Sequence, residues 1–339
     1  MIIREMYYQL KPFIPVFLQL YLRRKWVLAK RSRNSGIWPI DESAGKCPKR
    51  WVGWPEGKRF AIVLTHDVES SKGVRNSIPL AELEMEFGFR SSFNFVAQDY
   101  QISQKIFSYL RENGFEIGLH GLSHDGNLFR SKPHFDSKID RINHYLREWR
   151  CDGFRSPSMY HNLSWICDLD VEYDASTFDT DPFEPQPDGV GTIFPFWVPA
   201  AGGTATSSAI SVIPGSTSPE AQPVTCNLQP ATVSQRGFIE LPYTLPQDHT
   251  LFILMGEKDT AIWKKKLAWI VERGGMALVI VHPDYMNFGT TRRTSWEYPA
   301  SHIADFLEFV RDKYEGQYWH ALPKDVAHFW KRNFQIEEV

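Results

Sequence analysis

The chain has 339 residues, with 38 Lys and Arg against 40 Asp and Glu, a formal net charge of −2. That balance carries no footprint for a nucleic-acid partner, and the length suffices for one large domain or two ordinary ones. The four cysteines (Cys47, Cys151, Cys167 and Cys226) form no CxxC pair. This excludes the usual structural zinc pattern, gives a disulfide framework little support, and makes a reducing, cytoplasmic setting the expectation in the absence of a leader-like segment.

Residues 1–57 read as an N-terminal arm. Phe13 to Leu22 are apolar except for Gln19, and Arg23, Arg24 and Lys25 follow. The run is shorter than the ~20 apolar residues of a spanning helix. It predicts an amphipathic helix packed on the domain's own flank, with peripheral contact to a membrane surface as the alternative. The Trp-, Pro- and Gly-rich loop after it is expected to pack its indoles on the main domain rather than on a sugar.

From Arg59 the pattern alternates. Arg59–Asp67, RFAIVLTHD, is a continuous apolar run, the mark of a strand buried on both faces. A helix is predicted near Pro79–Phe87, with Pro79 in its first turn. Ser91–Ala97 reads as a strand, Ile102–Asn113 as a helix stopped by Gly114, and Phe115–Gly121 as a strand. Asp136–Trp149 is a helix with Ile139, Ile142, Leu146 and Trp149 on one face and Asp136 or Ser137 as its cap. Asp152–Ser158 enters a strand end and Gly237–Leu245 is a further strand. Ala261–Gly275 is a helix ending at Gly274 or Gly275. Met276–Tyr285 is a strong strand and Ser301–Tyr314 a late helix. Strand and helix in alternation predict a parallel α/β architecture. Ala200–Gln235, rich in Gly, Ser, Thr, Ala and Pro, breaks the rhythm and reads as an irregular surface insertion.

Polar residues collect at the carboxyl ends of the apolar runs: His66 and Asp67, His120, Arg155 and His282. That edge is where chemistry gathers in α/β sheets and barrels. His120 and His124 are four apart, a spacing that turns both imidazoles to one side. Two imidazoles and a carboxylate make a common catalytic metal set with positions left open for water. Strand alternation puts Asp67 and Glu69 on one face, and two adjacent carboxylates are tolerated with a cation beside them. One would bind the metal and the other take a proton from its water; the residues alone leave open which does which. Arg155 suits pairing with Asp67, and His282 at a strand end suits a general acid. Each feature alone has a bland reading: a surface HxxxH pair, a turn-capping Asp67, an exposed Glu69, a weak surface ion pair, a satisfied core histidine. The weight rests on the ordered set.

That order resembles the polysaccharide deacetylases with a NodB-homology domain, carbohydrate esterase family 4. Thr65-His66-Asp67-Val68-Glu69 resembles a variant branch of the first family motif, with D-x-[DE] in place of T-F-D-D-G. His120-Gly121-Leu122-Ser123-His124 matches the second. Arg155-Ser156-Pro157 matches the third, R-x-P-[YFW], with Ser158 in place of the aromatic. Leu278 to His282 matches the fifth, and HALPKDVAHFW near His320 resembles the closing helix region. The resemblance spans about Arg59 to Trp330. It implies a distorted (β/α) barrel of the NodB-homology type, with seven parallel strands, preceded by the N-terminal helical arm. A catalytic domain would occupy 58–332, with the insertion near 200–235. The implied activity is removal of acetyl groups from N-acetylated sugars, so the expected partner is a carbohydrate. Carried over by position, Asp67 is the base, Glu69, His120 and His124 are the metal ligands, Arg155 orients the base and His282 is the acid. The implied cofactor is a divalent metal, with zinc first among the first-row ions. The family's fourth motif, an Asp with a following Trp that tunes the acid histidine, has no clear counterpart; Asp174 and Asp179 are the candidates. Two other readings are a related hydrolase acting on a small amide or ureide, and a barrel without catalysis that serves as a binding module.

Overall fold

A computed structural model describes residues 16–200, 236–289 and 292–333. The expected irregular insertion, apart from Ala200 itself, lies outside the described residues, as do Cys226 and the first residues of the expected N-terminal helix.

Strand β1 (Phe60–Val68) is the centre of the fold, and all nine of its residues are buried. One edge pairs parallel with β8 (Met276–Val281) from Ala61 to His66. The other edge is shared. Its first residues pair with β11 (Tyr318–His320) and its last with β2 (Ser92–Phe95), both parallel. The sheet continues through β3 (Glu116–Leu119), β4 (Gly153–Phe154), β5 (Tyr173–Asp174) and β7 (Gly237–Glu240), again all parallel. Only β6 (Phe196–Pro199) runs antiparallel, along β7. Beyond β7 the chain reaches β8. Thr244 N donates to Leu278 O at 3.1 Å and Thr244 Oγ1 to Met276 O at 2.8 Å, and Leu278 N donates back to Thr244 Oγ1 at 3.0 Å. These bonds bridge the seam of a curled sheet. The parallel strands β1, β2, β3, β4, β5, β7 and β8 form the expected distorted barrel, with β11 added below β2 and β6 flanking β7. A strand enclosed by parallel neighbours and covered by helices has no wet face, which is why its sequence reads as an unbroken apolar run.

Helices cover the outside. Helix α2 (Ser71–Glu86) starts eight residues before the expected position and carries Pro79 in its interior. The start is set by Ser70, whose side chain accepts from Lys72 N and Gly73 N, a cap that outweighs the signal from Pro79. Ser77 Oγ donates to Gly73 O at 2.9 Å in the turn before the proline. Helix α3 (Gln104–Glu112) buries Phe107 and Leu110. Helix α4 (Lys132–Glu148) is capped by Ser131, with Pro133 in its first turn, rather than by Asp136 or Ser137. A short α5 (Leu163–Ile166) precedes β5. Helix α6 (Ala261–Arg273) ends at Gly274 in the left-handed conformation, φ 71°. Helices α7 (Ser301–Tyr314) and α8 (Pro323–Asn333) complete the cover. A two-stranded pair, β9 (Met286–Asn287) and β10 (Tyr298–Pro299), sits beyond β8.

The arm lies on this body. Helix α1 (Val16–Arg33) packs by Leu20 and Val27, and Arg24 Nε donates to Ile253 O at 2.8 Å. The indoles of the following loop pack inward as expected. Trp54 is buried and donates to Gly274 O at 2.8 Å, Trp51 stacks on Trp330 at 5.1 Å, and Trp38 meets Phe183 edge-on at 5.1 Å. No helix among the described residues is long and apolar enough to cross a membrane.

Candidate metal centre

The carboxyl ends of β1, β3, β4 and β8 bring Asp67, Glu69, His120, His124, Arg155 and His282 to one rim. Strand alternation separates His66 from Asp67. Asp67 faces the barrel mouth, whereas the His66 ring turns to α2, with Nε2 2.7 Å from Glu84 Oε1. His66 is therefore a buried packing residue and takes no place at the rim. Its neighbour Glu84 also accepts from Ser91 Oγ at 2.6 Å.

Glu69 follows β1, His120 follows β3, and His124 closes the loop begun by Gly121. One ligand atom from each of Glu69, His120 and His124 lies within 4.8 Å of the other two. Gly121, at φ +70°, is what lets the loop turn so tightly. A Cβ there would also sit 2.7 Å from Pro157 Cγ, so glycine packs the HGLSH loop directly against the RSP turn. The His120 ring is fixed by its Nδ1, 3.0 Å from Arg155 O. A carbonyl only accepts, so Nδ1 carries the proton and Nε2 presents its lone pair to the site. That Nε2 is buried with no hydrogen-bond partner, as is His124 Nε2, which lies 2.9 Å from Glu69 Oε1 without the alignment of a hydrogen bond. Two orphaned imidazole nitrogens facing one carboxylate fit a divalent cation by donor type and number. Burial lowers the pKa of His120 to about 4, keeping it neutral as a ligand must be. Burial works against the charge on Glu69, but His282 and His124 outweigh it and hold its carboxyl well below the usual range. Burial also lowers His124, but the Glu69 carboxylate raises it more.

Asp67 is positioned differently. Its Oδ1 accepts from Arg155 Nη1 at 3.0 Å and from Asn94 Nδ2 at 2.9 Å, while Oδ2 points to His120 Nε2 at 4.0 Å. Gly118 makes room for Asn94; a Cβ there would lie 2.1 Å from Asn94 Oδ1. Arg155 is fully buried; its Nη1 also donates to Thr65 Oγ1 and its Nε to Ala175 O, each at 2.8 Å, while its Nη2 meets no hydrogen-bond partner. Burial alone would raise the Asp67 pKa, but Arg155, then His120, His282 and Asn94, bring it down to about 2.

His282 stands across the site, with Nε2 3.7 Å from Glu69 Oε1. Its Nδ1 lies 2.6 Å from Asp248 Oδ1, and Asp248 Oδ2 accepts from His282 N at 2.8 Å and Tyr298 OH at 2.7 Å. Burial would lower its pKa, but Asp248 and Glu69 raise it to about 10. Asp248 is the residue that sequence reasoning missed. Asp174 bonds Ser176 and Asp179 pairs with Lys266 at 2.6 Å; neither holds His282. Asp248 enters from the π-helical turn His249–Met255, which it precedes, and Tyr298 of β10 donates to it. The acidic residue next to His249 in LPQDH was the available signal, and no local spacing tied it to His282.

The site opens onto a cleft bordered by Glu69, Lys72, Asp99, His124, Tyr285 and Trp296. Tyr285 OH donates to Glu69 Oε2 at 3.1 Å.

The barrel is of the NodB-homology (β/α) type. No family model matches the sequence, and no curated protein matches it; the likeness is structural. A protein from Mycobacterium smegmatis provisionally described as a polysaccharide deacetylase superposes with a TM-score of 0.57 at 16% identity, over 86% of this chain and 97% of its own. Puue allantoinase superposes with a TM-score of 0.58 at 15% identity, over 88% of this chain and 99% of its own. A protein from Pseudomonas aeruginosa PAO1, also provisionally described as a polysaccharide deacetylase, gives 0.54 at 14% identity, over 84% and 95%. At these identities the chain shares their fold.

Proposed function

We propose that the chain is a metal-dependent hydrolase that removes acetyl groups from N-acetylated sugars of a polysaccharide or its precursor. The observation that carries this reading is the convergence of Glu69, His120 and His124, with Asp67 on one side and His282 on the other. Glu69, His120 and His124 would hold the divalent ion, zinc first among the candidates. When bound, the ion supplies Lewis-acid polarisation of the acetyl carbonyl and acidifies water. Asp67, ionised at neutral pH and oriented through Oδ1, has Oδ2 free to take a proton from the attacking water. The Nδ1–H of His282 is committed to Asp248, so its Nε2–H is the proton that reaches the departing nitrogen as the carbon–nitrogen bond breaks. The products are acetate and a free amine.

The direct test is acetate release from a panel of N-acetylated saccharides by metal-loaded protein. Metal binding without acetate release from any of them would reject the reading. The shared fold with an allantoinase favours one alternative, hydrolysis of a small cyclic ureide, and that substrate belongs in the same panel.

Two variants probe the roles. His124→Ala removes one nitrogen ligand, and bound metal measured by elemental analysis should fall from near one per chain to a small fraction of that; unchanged metal content would exclude His124 as a ligand. Asp248→Asn removes a charge that keeps His282 protonated. A raised pKa means the active, protonated form is lost as pH climbs through the folded value. The alkaline limb of the kcat/KM profile should therefore move to lower pH, by roughly one to three units. A limb that stays in place would take the acid role away from His282.

A further inference from the structure

Helix α1 is amphipathic the wrong way round for an ordinary surface helix. Its inward stripe is Leu20, Arg24, Val27 and Arg31, and two of these four are cations spent on the body: Arg24 on Ile253 O and Arg31 on Glu257. Its outward side carries Leu18, Tyr21, Leu22 and Trp26, at the i, i+3, i+4, i+8 spacing of one face, with Leu28 at its margin. These five side chains are 38–55% exposed, and besides them only Ile37 and Val52 are exposed large hydrophobics among the described residues. Cations are interleaved: Lys25 lies over the Tyr21 ring and Lys30 over the Trp26 ring, at 5.6 and 4.6 Å. The helix holds Arg23, Arg24, Lys25, Lys30, Arg31 and Arg33 and no acidic residue, in a chain whose net charge is −2.

We infer that the outward face of α1 docks the protein on an anionic membrane surface. Apolar and aromatic side chains ringed by cations match the boundary between acyl chains and anionic headgroups, and anionic lipid supplies the complementary charge. Docking against a second copy is disfavoured, since a two-fold contact would set one set of cations against the other. The helix also stands at the rim of the candidate site. Arg24 Nη2 donates to Ser295 O at 3.3 Å, and its neighbours Thr294 and Trp296 border the cleft that holds Glu69 and His124. A docked α1 brings that cleft beside the bilayer. On the hydrolase reading, which this consequence rests on, the substrate is a membrane-borne N-acetylated saccharide.

The test is co-sedimentation of the full chain with vesicles of phosphatidylcholine containing about one-third phosphatidylglycerol, against pure phosphatidylcholine. The charged vesicles should pellet the protein, the neutral ones should not, and raising salt should weaken binding. Tyr21→Ser with Trp26→Ser should lower the bound fraction about tenfold while thermal unfolding stays unchanged, because both side chains are exposed. Equal binding to both vesicle types, no binding to either, or binding untouched by the double variant would each overturn the inference. A wild-type dimer that the double variant converts to monomer would assign the face to a second copy instead. Pelleting needs no turnover, so loss of the hydrolase reading and loss of the docking reading are separate results.

Discussion

Asp67→Asn is expected to lower kcat by roughly two to four orders of magnitude, the range of a general base, while the protein folds and keeps its metal. The amide is close in shape to the carboxylate. It can still accept from Arg155 and Asn94 at the oxygen that now holds Oδ1 in place, and Glu69, His120 and His124 are untouched. What is lost is the capacity to take a proton. Metal analysis and steady-state acetate release on the same preparation separate the two properties. Turnover near the wild-type rate would remove Asp67 from the base role, and loss of metal together with turnover would make it a ligand instead. That second outcome speaks to the division of labour between Asp67 and Glu69 that the residues alone left open.

Arg155→Met is expected to produce the largest loss of stability of any single substitution at this site, on the order of 3–5 kcal/mol, as when one partner of a buried ion pair is removed. The guanidinium is fully buried and ties β1 and β4 to the backbone beyond β5, through Thr65, Asp67 and Ala175. Without it Asp67 remains buried and loses its largest compensating charge. Denaturant unfolding measures the loss, and a midpoint close to wild type would show that Arg155 contributes little.

The pH dependence supplies a second signature. In the wild type Asp67 is depressed to about 2, so its contribution to stability is present above the ordinary carboxylate pKa and is lost as pH falls through 2. In Arg155→Met the largest counterweight to burial is gone, so the Asp67 pKa rises toward the ordinary value. The gain in stability as pH climbs from about 2 to about 4 should therefore shrink. Arg155→Lys restores a charge but not the fork of three bonds, so its unfolding midpoint should fall between the two.

Much of this architecture was written in local pattern. The apolar run through Phe60–Leu64, the helical face of Ile142, Leu146 and Trp149, and the stop at Gly274 are each readable from nearest neighbours along the chain, because burial and backbone conformation act at that range. The pairing of His120 with His124 is readable for the same reason. Helix α2 starts ahead of Pro79 because a proline is a weaker boundary than a serine, Ser70, whose oxygen caps two backbone amides. Helix α4 likewise starts ahead of Asp136, at Ser131 and Pro133.

The parallel α/β class and the residue types gathered at strand ends are legible along the chain, because periodicity and apolar runs are properties of short segments. Which of those residues meet is set by the folded barrel. His66 and Asp67 are adjacent in the chain and face opposite layers, while Asp248 and His282 are 34 positions apart and share a hydrogen bond. Strand pleat and barrel closure set those meetings, and both depend on register between segments that are distant in the chain.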